Sequence, residues 1–262
     1  MARVATIPHP YALPHVTRTH VLGVPIDLVA PELLPKVLSE IADKAQVEGG
    51  LQIVFVRTLD ILRALRDSSY KATLDNAALV LPVSKEISRA LQKLRRPMPF
   101  RYFPTDTLVR VLGWLEEKQG GIYVLGASGK DITTIEQRIR RTFPGCRIVG
   151  RYMGWFSKST EDNVCMAIKK SNPMVLVTGP GLVGKDKWLY RRRDRLNKGI
   201  QVYSEDFFSY IVGKSSRVNK VSFRKGREVY RNMQIAPWKI GLGLGVGWFR
   251  FRVLLNRAFG SR

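Results

Sequence analysis

The stretch TGPGLVGKDKWLYRRRDRL, Thr178 to Leu196, holds the densest candidate chemistry in the chain: Gly179, Gly181 and Gly184, then Lys185, Asp186, Lys187 and Trp188, then Arg191, Arg192, Arg193 and Arg195. Glycines let a backbone approach a phosphate closely, and a lysine at their end adds a compact positive charge. A nucleotide-hydrolysing loop of this kind would follow its lysine with Ser or Thr to hold magnesium. Asp186 stands there instead, so hydrolysis loses its support while anion binding survives. The arginine run reads equally well as a solvated helix face.

A second glycine turn, Gly126 to Gly129 (GASG), follows the apolar run from Ile122 to Leu125 and opens a helix. Free amides and the helix dipole favour a phosphate there, although ordinary strand-to-helix turns use glycine too. The run GLGLGVG, Gly241 to Gly247, has dinucleotide-loop spacing but no strand–helix–strand unit after it, so a flexible hinge is expected. His9, His15 and His20 all lie among prolines in the first twenty residues. No Ser/His/Asp or Cys/His arrangement can therefore form in the body of the chain, and catalysis there has to use carboxylates or lysine. Cys146 and Cys165 are too few for a disulfide framework and lack metal-ligand spacing. They read as buried thiols in a reducing compartment.

The elements that must position these residues alternate in type. Strands are expected at Val21 to Val29, Leu51 to Val56, Leu79 to Pro82, Gly121 to Gly126, Cys146 to Gly150, Met174 to Gly179 and Ile200 to Tyr203. Helices are expected at Pro31 to Ala45, Leu59 to Arg66, Ser84 to Leu94, Asp106 to Lys118, Asp131 to Thr142, Thr160 to Lys170 and Lys185 to Asn197. Short, continuously apolar strands alternating with amphipathic helices make a Rossmann-like, mostly parallel α/β sheet with helices on both faces. Ligands of such sheets bind at the carboxyl ends of the strands.

At 262 residues and 45% hydrophobic content the chain can bury one full core. Residues 1–20 read as a flexible lead, 21–213 as the α/β domain and 214–262 as a basic appendage. The net charge of +23 draws the protein to phosphate-rich partners. Twelve of the cations, from Lys214 to Arg262, face one acid, Glu228, in the appendage. Its last part, IGLGLGVGWFRFRVLLNRAF, suits an anionic membrane interface, with a helix packed on the domain as the alternative. No signal-peptide pattern and no apolar run long enough to span a bilayer is present, so a cytoplasmic, peripheral location on the inner face of the cell membrane is expected.

Several segments, taken in order, resemble the WecG/TagA/CpsF family of glycosyltransferases from about Val21 to Gly213, and more weakly beyond. DILRALRDSSYKATLDNAALVLP is similar to the family's helix and strand before its active-site turn. RYFPTDTL resembles Arg-Val-x-Gly-x-Asp-Leu, and GIYVLGASG the central glycine turn. TFPGCRIVGRYMGWF resembles the Tyr-Pro-Gly, Ile-Val-Gly and His-Gly-Tyr-Phe wording. GLVGKDKW lines up with Gly-x-Pro-x-Gln-Glu-x-Trp, and FFSYIVGKSSR with Phe-Asp-Phe-Leu-x-Gly-x-x-x-Arg. The chain departs from the pattern at polar positions: Val83 stands for the aspartate usually taken as base, Arg57 for an asparagine, Lys185 and Asp186 for Gln-Glu, and Ser209 for an aspartate.

The resemblance implies inverting transfer of a hexose or N-acetylhexosamine from a UDP-sugar to a polyprenyl-diphosphate-linked acceptor in cell-surface polysaccharide synthesis. It implies neither a metal nor another cofactor, and it leaves room for a homo-oligomer. With Val83 unable to accept a proton, Asp106 or Asp186 is the expected base. Arg57, Arg101 and Lys185 would converge on the donor diphosphate. Gly126, Gly129, Gly181 and Trp188 complete the donor side, Arg101 with Asp106 orients the sugar, and Arg224, Arg227 and Arg231 meet the acceptor diphosphate. A non-catalytic member that binds nucleotide sugar or lipid intermediate for a partner enzyme is the alternative. A nucleic-acid binder is disfavoured, because the basic tail carries no reader motif.

Overall fold

Runs such as LQIVFV have apolar side chains on both faces of a strand, which only a sheet covered on both sides can bury. The computed structural model of the protein describes residues 9–215 and 240–259 and shows that sheet. Its strands are β3 (Leu51–Val56), β4 (Leu79–Pro82), β5 (Gly121–Leu125), β6 (Arg147–Tyr152), β7 (Val175–Thr178) and β8 (Ile200–Tyr203). They are all parallel, in the order β4-β3-β8-β7-β5-β6. In register, Ile53 lies beside Leu79, and Leu51 beside Ile200.

Alternate strand residues divide the core between the two faces. Leu51, Ile53, Val175 and Val202 pack under α1 (Leu34–Glu48), α5 (Pro104–Glu117), α6 (Gly129–Thr142) and α9 (Glu205–Ile211). Val54, Val56 and Val80 pack under α2 (Thr58–Ala64), α3 (Ser68–Asp75) and α4 (Lys85–Lys93). Leu125 and Leu176 pack under α7 (Lys158–Ser171) and α8 (Asp186–Arg192).

The expected strand Val21 to Val29 is instead the second half of a hairpin, β1 (Thr17–Val21) and β2 (Val24–Leu28). Leu22 and Gly23 take left-handed conformations (φ 51° and 78°), the geometry a two-residue hairpin turn requires. Arg18 and Asp27 face each other across it, buried, with two hydrogen bonds of 2.7 Å. Asp27 Oδ2 also accepts from Val80 N at 2.7 Å, and Arg18 donates to Ala77 O at 2.8 Å, so the hairpin fastens onto the edge strand β4. The lead expected to be flexible is tied down from His9 onward, where the ring Nε2 donates to Ala78 O at 2.9 Å.

Three other differences have local causes. Asp67 accepts from Tyr70 N at 2.9 Å and so starts a separate α3 after α2. Lys185 to Asn197 is a short α8 followed by a 3-10 turn, Arg193–Arg195. The GLGLGVG run is no hinge: it opens α10 (Ile240–Phe259), whose Phe249 and Val253 are each 1% exposed against α2 and α4. Arg250 secures this packing with bonds of 2.8 and 3.0 Å to Glu86.

Candidate active site at the carboxyl edge of the sheet

Because the six strands are parallel, the turns that follow them gather at one edge. The helices after the neighbouring strands β3 and β8 leave to opposite faces, α2 to one and α9 to the other. Adjacent strands with opposite connections open a crevice between their carboxyl ends, the place where open α/β sheets hold ligands.

Arg57 follows β3 at the mouth of this crevice, and its guanidinium meets the carboxylate of Asp206 in the first turn of α9. Lys185 joins the same edge from the turn after β7. Its Nζ lies 3.3 Å from Glu205 Oε2 and 5.5 Å from the centre of the Tyr203 ring. Its backbone sits at φ 52°, ψ −122°, a sparsely populated conformation for a residue with a side chain. Arg101 belongs to the same block of turns: its Nε donates to Val83 O at 2.8 Å, Val83 N donates to Val56 O at 2.9 Å, and Tyr102 N donates to Pro82 O at 2.9 Å. The three cations therefore assemble on one edge.

The carboxylates fall differently. Val83 is 3% exposed, so the position after Pro82 is closed to solvent as well as apolar. Asp106 sits in the first turn of α5, half-buried. Asp186 turns inward, where its Oδ1 accepts from Gln52 Nε2 at 3.0 Å. Desolvation, reinforced by the neighbouring Asp60 charge, pushes its pKa up to about 7. Asp60 is likewise raised by burial, against a 2.7 Å hydrogen bond from Arg57 N. Glu205, exposed, and Asp206, half-buried, also line the crevice, and sequence reasoning passed over both. Ser204-Glu-Asp is a helix-start signature, and Ser204 Oγ does accept from Phe207 N at 3.2 Å. Two acids opening a helix just after a strand were the available signal.

The glycines serve backbone packing first. Gly126 N donates to Tyr152 O at 3.0 Å and Ala127 N to Pro180 O at 2.8 Å, so two amides of the GASG turn are already engaged. A Cβ on Gly126 would lie 2.8 Å from Gly179 N, and one on Gly181 (φ 93°) 2.7 Å from Gly154 C and from the Trp155 ring. Gly129 begins α6 behind the cap of Ser128. Trp155, 60% exposed, therefore stands over the Gly181 turn, and with the exposed Met153 and Tyr152 it forms an apolar surface within the segment that resembles the family's His-Gly-Tyr-Phe wording.

Other expected contacts lie apart from the crevice. Trp188 is buried, donating to Glu161 at 2.7 Å and meeting Phe156 edge-on, which makes it a packing residue. Arg192 and Arg195 pair with Glu161 and Asp162 of α7 at 2.8 and 2.6 Å, and Lys187 pairs with Asp67 at 2.9 Å. Arg224, Arg227 and Arg231 lie outside the described residues. Cys146 and Cys165 are buried free thiols, both made less acidic by burial.

Along α10, Leu244, Trp248, Phe251 and Leu254 remain exposed, with Arg252 and Arg257 among them. Between α10 and α2 runs a groove of about 570 Å³ lined by Leu59, Leu62, Arg63, Arg66, Leu244 and Trp248. Among the described residues no helix is long and apolar enough to cross a membrane.

The N-acetylglucosaminyldiphosphoundecaprenol N-acetyl-beta-D-mannosaminyltransferase of Bacillus spizizenii is 22% identical to this chain over 154 residues, 59% of each protein. The chain thus spans about three fifths of the length of that curated relative. The model of the glycosyl transferase WecG/TagA/CpsF family matches residues 19–259, which takes in all but the first two residues of the hairpin, the whole six-stranded sheet and α10. The chain belongs to the WecG/TagA/CpsF family of glycosyl transferases.

Proposed function

We propose that the protein transfers a hexose or N-acetylhexosamine from a UDP-sugar to a polyprenyl-diphosphate-linked acceptor at the inner face of the cell membrane, in cell-surface polysaccharide synthesis. The observation that carries this reading is the placing of Arg57 and Lys185 against the adjacent acids Asp206 and Glu205 at the start of α9, beside the crevice between β3 and β8, in a chain of this family. A departing diphosphate needs cations already in place where its charge develops. The relative from Bacillus spizizenii supplies the acceptor class through its name.

In this reading Arg57, Lys185 and the turns at Gly126, Gly129 and Gly181 hold the nucleotide diphosphate. Arg101 and Asp106 orient the sugar. Arg224, Arg227 and Arg231 meet the acceptor diphosphate. Inversion follows from direct attack by the acceptor hydroxyl on the anomeric carbon, with no metal or cofactor assigned. The exposed apolar row of α10, interspersed with arginines, suits an anionic bilayer surface.

The test is transfer of labelled sugar from a panel of UDP-sugars to polyprenyl-diphosphate-linked acceptors on anionic vesicles. Turnover with one donor supports the reading, and its loss in Arg57→Ala ties the activity to the crevice. A second reading rests on Val83, buried and apolar where a base is expected: a member that binds the donor and passes it to a partner enzyme. UDP-sugar binding without turnover on the whole panel decides for that reading.

A further inference from the structure

The crevice is spanned by an ion pair that a bound diphosphate has to open. Arg57 reaches from the start of α2 on one face, Asp206 from the start of α9 on the other, and the two side chains meet across the gap. Beside them Glu205 is shared, with its Oε2 3.3 Å from Lys185 Nζ and 3.5 Å from the Tyr203 hydroxyl. The Asp206 side chain is 38% exposed, so a ligand in the crevice can touch it. Neither Asp186, turned toward Gln52, nor the buried Val83 offers that access.

We propose that Asp206 is the general base of the transfer, held by Arg57 until the donor diphosphate draws the arginine away. The proposal rests on the glycosyl-transfer reading above. A guanidinium binds phosphate through two parallel hydrogen bonds, and a nucleoside diphosphate brings more negative charge than one carboxylate. The donor therefore competes for Arg57. With Arg57 drawn onto the diphosphate, the Asp206 carboxylate loses its hydrogen-bond donor, and its oxygens are open to accept from a hydroxyl in the crevice only when the sugar donor is present. The acceptor hydroxyl oxygen then bonds to the anomeric carbon as the bond from that carbon to the diphosphate oxygen breaks. The electron pair leaves with UDP, whose charge is met by Arg57 and Lys185. The hydroxyl proton passes to Asp206 and from there to solvent.

Asp206→Asn separates this role from a structural one, because the proposal makes donor binding and turnover move in opposite directions. Full-length parent, Asp206→Asn and Asp206→Glu are compared by UDP calorimetry and by labelled transfer across a pH series, after thermal melting confirms that each variant is folded. Asp206→Asn should bind UDP several-fold more tightly, since Arg57 no longer has a competing carboxylate. It should also lose about 10²- to 10⁴-fold in kcat, together with the rise of rate with pH. Asp206→Glu should recover part of the turnover. Turnover of Asp206→Asn within threefold of an active parent overturns the base role and leaves the transfer reading standing, and weaker UDP binding in that variant overturns the competition for Arg57. A parent that binds UDP but transfers from no donor overturns the transfer reading and the base role together.

Discussion

Asp186 Oδ1 accepts a hydrogen bond from Gln52 Nε2 at 3.0 Å, which turns the carboxylate toward the flank of β3 and away from the crevice that Lys185, its neighbour in sequence, helps to line. Desolvation and the nearby Asp60 charge raise its pKa from the ordinary 3.8 to about 7. The folded state therefore keeps a proton that the unfolded chain has released across this range, so the group costs stability as pH rises from about 4 to 7. Asp186→Asn stays neutral and keeps an oxygen for Gln52. It should melt with the parent near pH 4 and several degrees above it at pH 8. Parallel curves for the two proteins across that range would remove the buried charge as an explanation.

Glu86 receives Arg250 of α10 through two hydrogen bonds and Arg89 through a third, and these cations hold its carboxyl below the usual range although desolvation opposes them. Glu86→Gln should weaken the docking of α10 by about 1.5–3 kcal/mol, the range for hydrogen bonds to charged groups. Faster amide exchange confined to α10, α2 and α4 is the expected readout. The effect should be absent in acid, where the parent's Glu86 is protonated as well.

Arg18 and Asp27 form a pair buried on both sides. Asp27→Ala leaves the guanidinium without its charge partner and should cost about 3–5 kcal/mol. A matched apolar pair, Arg18→Met with Asp27→Leu, should recover much of this by urea unfolding, because the desolvation penalty disappears with both charges. The recovery should fall short of complete, since Val80 N and Ala77 O lose their partners too.

Gly181→Ala places a Cβ 2.7 Å from Gly154 C and from the Trp155 ring, at a φ of 93° that side chains rarely adopt. A loss of about 1–3 kcal/mol is expected from the strain alone. Trp155 fluorescence should shift as its ring is displaced. An unchanged spectrum would show that the ring does not rest on this turn.

Much of the fold was legible because its signals are local. LQIVFV, LVLP and MVLVTG are largely apolar on both faces, a pattern suited to parallel strands of a sheet covered on both sides. The hairpin escaped because VLGVPIDLV is equally continuous, while the turn depends on left-handed Leu22 and Gly23. The GLGLGVG run escaped because glycine propensity argues against a helix, whereas burial of Phe249 and Val253 outweighs it. At the candidate site, Lys185 was singled out by its glycine-rich turn, and Arg57 and Arg101 through the family resemblance. Glu205 and Asp206 carried only the signal of two acids opening a helix after a strand, and nothing in SEDF indicates which cations face them.

The alternation of strands and helices from Leu51 to Tyr203, the parallel sheet, the excess of positive charge and the family were determined by the sequence, since each rests on short-range pattern or on a sum over residues. Which charges neutralise one another was decided only by the tertiary structure. Arg57 and Asp206 lie 149 residues apart, and they meet because β3 and β8 are neighbours whose helices leave on opposite faces. Asp186 and Lys185 are adjacent in the chain, yet the turn that starts α8 sends one to a buried glutamine and the other to the open crevice. Side-chain direction at such a turn is set by backbone geometry and by what is packed beneath it, and neither is encoded in the spacing of residue types.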